Sequence, residues 1–289
     1  MKSFSLPGTR VLALAAACAL SSCGGEGGDI AMSNASATNV RYAQTLTLTF
    51  TGQGFDKGVE VAVDGPCDNL TRLPGSNANG VQYTCVISGV GRINSVLRAT
   101  DGGQAFGSLK VDVPLPRVSL TVTDGTRTGT LLLELDPAAA PASVAQFVAY
   151  ANAGFYTGTL FHRVRPDTAI LAGGFTSGTE GVISAKLTTR GDVALERTGL
   201  KNLRGSVALY REAALNSANS MFFINTVDNP RFDVGSAETP DGYAVFGKVV
   251  EGLDVVDEIA KVPVRPDLSL AVNDVPVTAV RISAAAQTR

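Results

Sequence analysis

The stretch that decides the fold is Gly158-Thr159-Leu160-Phe161-His162-Arg163-Val164-Arg165-Pro166-Asp167-Thr168-Ala169-Ile170-Leu171-Ala172-Gly173-Gly174-Phe175-Thr176. Its core is Phe161-His162-Arg163-Val164, followed at once by Pro166 and then by Gly173-Gly174-Phe175. It holds the single histidine of the chain. Two further dense stretches lie downstream. One is Asn216-Ser217-Ala218-Asn219-Ser220-Met221-Phe222-Phe223-Ile224, and the other runs Gly242-Tyr243-Ala244-Val245-Phe246-Gly247-Lys248-Val249-Val250-Glu251-Gly252. No serine or cysteine nucleophile stands at a recognisable spacing from His162, so the histidine does not mark a hydrolytic triad.

Around these stretches the pattern is mostly strand. Val118, Leu120 and Val122 alternate before a turn at Asp124-Gly125, and Leu131, Leu133 and Leu135 alternate after it, which predicts a hairpin with one buried face. A helix follows, with Pro141 in its first turn, Val144, Phe147, Val148 and Ala151 at i, i+3, i+4 and i+7, and Gly154 at its end. A second helix near Leu253 to Ala260 places Leu253, Val256 and Ala260 on one side.

Taken in this order and spacing, the three stretches resemble the cyclophilin family of peptidyl-prolyl isomerases, most closely its bacterial periplasmic members. The resemblance covers roughly Arg117 to Ser283. It implies a mainly β fold, an eight-stranded antiparallel barrel capped by two helices, in which closure removes exposed edges. It also implies catalysis without a cofactor or metal on proline-containing peptide segments. The barrier to be lowered is amide resonance, about 18–20 kcal/mol. A catalyst of that step needs one fixed donor aimed at the prolyl nitrogen, an apolar slot for the ring, and polar groups on the flanking backbone. A guanidinium is planar and always charged, which suits the donor role.

By resemblance Arg163 is the catalytic arginine, His162 a buried structural histidine, Phe223 the floor of the proline pocket and Phe222 a barrel residue. The same likeness places Met221, Thr168, Leu171, Leu209, Tyr210, Phe232 and Tyr243 around the substrate, several of them as departures from the family. Thr168 stands where the family has a pocket Phe, Ala169 replaces Met, and Leu171 and Met221 each replace a Gln. Leu209 replaces a Met, Tyr210 a small residue, Arg231 the tryptophan of many members, and Tyr243 a His. Phe232 takes the place of an apolar pocket residue. These changes predict reduced activity. The competing expectation is a non-catalytic peptide-binding or chaperone module on the same scaffold.

The amino-terminal part reads differently. Lys2 and Arg10 precede and flank an apolar run, Val11 to Leu20, too short to span a bilayer, and Leu20-Ser21-Ser22-Cys23 resembles a lipobox. This predicts a signal peptide over 1–22, lipidation at Cys23, and anchoring in the cell envelope. Gly24 after the cysteine favours the periplasmic face of the outer membrane. The Gly-, Ala-, Ser- and Asn-rich residues 23–38 read as a flexible tether. Removal of residues 1–22 leaves 22 Lys+Arg against 26 Asp+Glu, a net charge of −4, with no basic run to suggest nucleic-acid binding.

Residues 39–114 alternate in short runs (Leu46, Leu48, Phe50; Val59, Val61, Val63; Val81, Tyr83, Cys85, Ile87; Leu109, Val111, Val113) between turn signals. The spacing predicts a small immunoglobulin-like β-sandwich with no ligand written into it. Cys67 and Cys85, exported together, predict a disulfide that stabilises by roughly 3 kcal/mol. Pro114-Leu115-Pro116 marks the boundary with the barrel domain, 115–289.

Overall fold

A computed structural model describes residues 30–177, 183–267 and 272–289. The expected signal peptide and Cys23 lie outside these residues. The chain divides into two compact units between Val113 and Pro114.

The first unit contains β1 (Ala31–Thr38), β2 (Thr45–Gln53), β3 (Val59–Asp64), β4 (Cys67–Arg72), β5 (Gly80–Ile87), β6 (Gly91–Ala99) and β7 (Ala105–Val113). They form two antiparallel sheets, in the orders β1-β2-β5-β4 and β3-β6-β7. Alternation does the work, since Leu46, Leu48 and Phe50 on β2 and Ile93 and Leu97 on β6 bury one face of each sheet in a common core. Cys67 and Cys85 form a disulfide with a Cα–Cα distance of 5.5 Å, joining neighbouring strands β4 and β5.

One expectation is corrected here. The predicted tether extended to Thr38, yet Ala31–Thr38 is a strand paired with β2. Its composition is too poor in apolar groups to predict a strand. Its backbone donors and acceptors are instead satisfied along the open edge of β2, and Ala35 is buried.

The second unit contains β8 (Arg117–Thr123), β9 (Thr128–Leu135), α1 (Pro141–Asn152), β10 (Thr159–Arg165), β11 (Ala169–Ser177), β12 (Ile183–Ala185), β13 (Ser206–Leu209), β14 (Phe222–Asn225), β15 (Val245–Glu251), α2 (Leu253–Ala260), β16 (Val264–Asp267), β17 (Val272–Pro276) and β18 (Arg281–Gln287). Eight strands close a ring in the order β10-β18-β8-β9-β15-β13-β14-β11 and back to β10, with β12 attached to β11. This is the expected barrel. The interior is filled by Phe147 from α1 against Tyr156, Phe222 and Phe246, with ring centroids 4.9–5.2 Å apart.

The helix α1 starts at Pro141 and buries Val144, Phe147, Val148 and Ala151. No residue caps its start locally. Glu196, from the long connection before β13, accepts bonds from the Ala142 and Ser143 backbone N–H groups at 2.8 Å and from Ser143 Oγ at 2.6 Å, so a carboxylate satisfies the orphan donors at the positive end of the dipole. On α2 the buried residues are Val256, Ile259 and Ala260, with Leu253 only half-buried. Gly252, in a left-handed conformation, precedes the helix and rests against β9, where an added Cβ would meet the Thr130 carbonyl at 2.2 Å.

Candidate active site

Strand register builds the site. Arg163 on β10 lies opposite Leu171 on β11, Leu171 opposite Phe223 on β14, Phe223 opposite Ala208 on β13, and Ala208 opposite Val245 on β15. Residues directly opposite share a face, so these five form one row across the outer wall of the barrel. Arg165 and Ala169 share that face by the two-residue period. A groove of about 190 Å³ opens over this row, lined by Arg163, Arg165, Thr168, Ala169, Leu171, Tyr210, Phe223, Phe232 and Tyr243.

Its floor is aromatic. The Phe223, Phe232 and Tyr243 rings form a triangle of edge contacts with centroids 5.3–5.7 Å apart. Tyr210 stacks beside Tyr243 at 6.2 Å, and the Arg211 guanidinium lies 5.1 Å from the Tyr243 centroid. Such a floor suits a pyrrolidine ring, whose four carbons present only C–H bonds.

The loops around the groove are pinned from below. Asn225, fully buried, donates to Ser206 Oγ at 2.8 Å and to Asn202 Oδ1 at 3.2 Å. Asn202 donates in turn to the Phe232 carbonyl at 3.0 Å. Asn229 and the Thr226 backbone both donate to the Thr168 carbonyl, at 2.7 and 3.0 Å. The turn between β10 and β11 and the segment carrying Phe232 are therefore held by one buried amide network.

Arg163 is the less exposed of the two cations in the groove lining, its side chain 21% exposed against 54% for Arg165. Nε donates to Asp274 Oδ1 at 2.8 Å and Nη2 to Asp274 Oδ2 at 3.0 Å. Arg165 Nε donates to the same Oδ2 at 2.5 Å. Burial pushes the Asp274 carboxyl up, but the hydrogen bonds and charges of the two arginines outweigh it and hold the group below its ordinary value. The hydrogen bond to Asp274 pushes the Arg163 pKa up in turn.

Of the residues placed around the substrate from the sequence, Thr168, Leu171, Tyr210, Phe223, Phe232 and Tyr243 line the groove with Arg163. Two do not. Leu209 pairs with Phe222, and both face the barrel interior, so the groove position belongs to its neighbour Ala208. A one-residue step along a strand reverses the face. Met221 shares the outer face, but its side chain covers Gly174, where an added Cβ would meet Met221 Cγ at 2.4 Å, and it is not part of the groove lining. Thr168 Oγ1 accepts a bond from Arg231 Nη2 at 2.7 Å, so the side of the groove that an aromatic pair would wall is closed by a polar one.

Two site residues went unnoticed in the sequence. Arg165 had a signal, standing two positions after Arg163 on a strand. Asp274 had none, because 111 positions separate it from Arg163.

His162 is buried at 3% exposure, its ring 4.6 Å from that of Phe175, and among the described residues Nδ1 has no hydrogen-bond partner. Burial lowers its pKa to about 4, with the Leu160 carbonyl opposing without outweighing it. It does not line the groove.

Residues 118–287 match the family model for cyclophilin type peptidyl-prolyl cis-trans isomerase. The chain belongs to the cyclophilin-type peptidyl-prolyl isomerases. A peptidyl-prolyl cis-trans isomerase A of Dickeya dadantii is 45% identical over 137 residues, covering 47% of this chain and 69% of the relative. A peptidyl-prolyl cis-trans isomerase of Streptomyces antibioticus is 42% identical over 168 residues, covering 57% and 96%. The peptidyl-prolyl cis-trans isomerase B of Escherichia coli is 40% identical over 139 residues, covering 48% and 82%. These relatives and the matched domain assign the barrel unit to prolyl isomerisation, with proline-containing peptides as its substrates, and do not favour a purely non-catalytic module. The matched residues lie wholly in the second unit.

Proposed function

We propose that the groove on the barrel wall isomerises prolyl bonds of exported polypeptides, with Arg163 as the donor to the prolyl nitrogen and Phe223, Phe232 and Tyr243 as the seat of the ring. The observation that carries this reading is the row Arg163–Leu171–Phe223, which sets a guanidinium beside an aromatic floor on one open face. The Asp274 carboxylate takes the Nε and Nη2 edge of Arg163, and among the described residues no hydrogen bond engages Nη1. As the amide twists, the prolyl nitrogen regains a lone pair, and a donor that strengthens its bond only then lowers the barrier.

The turnover of this chain is reduced relative to a member with the full pocket. Thr168 and Ala169 remove an aromatic wall and a long apolar side chain, about 1–3 kcal/mol of ring burial. Leu171 and Met221 remove side-chain amides, about 1 kcal/mol each. These add to about 3–5 kcal/mol, only part of which falls on the transition state, and support a tenfold to thousandfold lower kcat/KM at roughly 1.4 kcal/mol per factor of ten. The test is a proline-peptide isomerisation assay of the protein and of Arg163→Ala. Equal rates for the two overturn the assignment of the donor.

The location proposed is the periplasmic face of the outer membrane, through acylation at Cys23. This rests on the short apolar run and the Leu20-Ser21-Ser22-Cys23 sequence. Labelling of cells with a radioactive fatty acid tests it, with incorporation expected in the unmodified protein and lost in Cys23→Ala. Label retained in that variant removes the anchor at this residue.

A further inference from the structure

We propose that Asp274 is a positioning residue for the isomerase reaction, gripping one edge of the Arg163 guanidinium so that the other edge is presented to the groove. The inference rests on Arg163 as the donor to the prolyl nitrogen. The contact is bidentate, 2.8 and 3.0 Å, the geometry in which a guanidinium is fixed in both direction and plane. The residue that holds it is itself held. Asp274 is 8% exposed, and Arg165 Nε binds its Oδ2 at 2.5 Å, so the carboxylate lies between two guanidinium groups and cannot swing away without losing both. Two cations against one anion leave the site with a net positive charge, so the carboxylate orients Arg163 without cancelling the field at the groove.

Leu171 stands directly opposite Arg163 on the same face and offers no acceptor. Among the described residues Asp274 is the sole hydrogen-bonding partner of the Arg163 side chain. The carboxylate comes from the hairpin β16–β17, inserted between α2 and the last barrel strand. An arginine side chain is rich in rotamers, and ordering it before substrate arrives removes that cost from the reaction step.

The experiment uses the full chain. Asp274→Asn is expected to lower kcat roughly tenfold, with KM for a proline peptide changed by less than about twofold, because the aromatic floor is untouched. Leu171→Gln added to Asp274→Asn is expected to recover most of the loss, since an amide opposite Arg163 supplies the missing acceptor. In nitrogen-15 spectra the Arg163 Nε–H is expected to be sharp and slow to exchange in the unmodified protein and exchange-broadened in Asp274→Asn. Unchanged kcat in an active Asp274→Asn protein overturns the proposal alone. So does a loss that Leu171→Gln fails to recover, which marks Asp274 as merely part of the hairpin, and so does an Nε–H already broadened in the unmodified protein. An unmodified chain with a sharp Nε–H and no isomerisation sinks the isomerase reading and, with it, any catalytic meaning of the contact.

Discussion

At the scale of single residues, the site sets one charged group to work and keeps another uncharged. Arg163 is held charged by a carboxylate, whereas His162, one position away, is held neutral by burial with its pKa lowered to about 4. The consequence for stability has a definite sign. Between the ordinary histidine value of about 6.5 and the buried value, the unfolded chain binds a proton that the native chain does not. Stability contributed by His162 is therefore full above about pH 6.5 and falls as pH drops toward 4, by about 3 kcal/mol in all. Because this is the single histidine, proton spectra report it without overlap. Its ring resonances are expected to stay flat down to about pH 5, and a midpoint near 6.5 contradicts the buried state. His162→Phe is expected to flatten the stability profile between pH 4 and 6.5 in urea unfolding. Asp274 acts in a lower window, since its pKa is depressed and its contribution is lost only as pH falls below the ordinary carboxylate value.

At the scale of elements, the groove depends on how β11 is aimed. The register between β10 and β11 shifts between Phe161 and Arg163, which turns Phe161 into the barrel and Arg163 out of it. Gly173 lies on the same strand with φ +89°, and an added Cβ would stand 2.5 Å from the Ser220 carbonyl. Gly173→Ala is expected to cost roughly 1–3 kcal/mol from backbone strain alone, read as a lowered urea midpoint. A midpoint equal to that of the unmodified protein contradicts the strain. The turn between β10 and β11 makes a second prediction. Thr168→Phe combined with Ala169→Met restores apolar surface against the ring and is expected to lower KM for a proline peptide about fivefold or more. Arg231, which donates to Thr168, must then turn outward. An unchanged KM indicates that Tyr210 already supplies the missing wall.

At the scale of the whole molecule, two cores stand in separate units, and the groove belongs to one of them. The disulfide Cys67–Cys85 lies in the other. Replacing both cysteines by serine is expected to destabilise the first unit by roughly 3 kcal/mol while leaving the isomerisation rate unchanged. A rate that falls with the disulfide shows that the first unit contributes to catalysis. The family match runs the same way, covering 118–287, wholly within the second unit.

The sequence alone determined the hairpin at the start of the barrel, the two helices and the sandwich strands through local periodicity, as Leu46-Leu48-Phe50 shows, and pointed to the barrel and most of the groove through the family resemblance that motifs such as Phe161-His162-Arg163 carry. Where local pattern was weak or ambiguous it failed, at β1, whose strand comes from an edge that needs pairing, and at Leu209, where one residue of register separates groove from core. Tertiary structure alone decided the partner of Arg163. Asp274 reaches it only because a hairpin 111 positions later lies against β10, and no spacing in the chain records a contact that packing of this hairpin on the barrel creates.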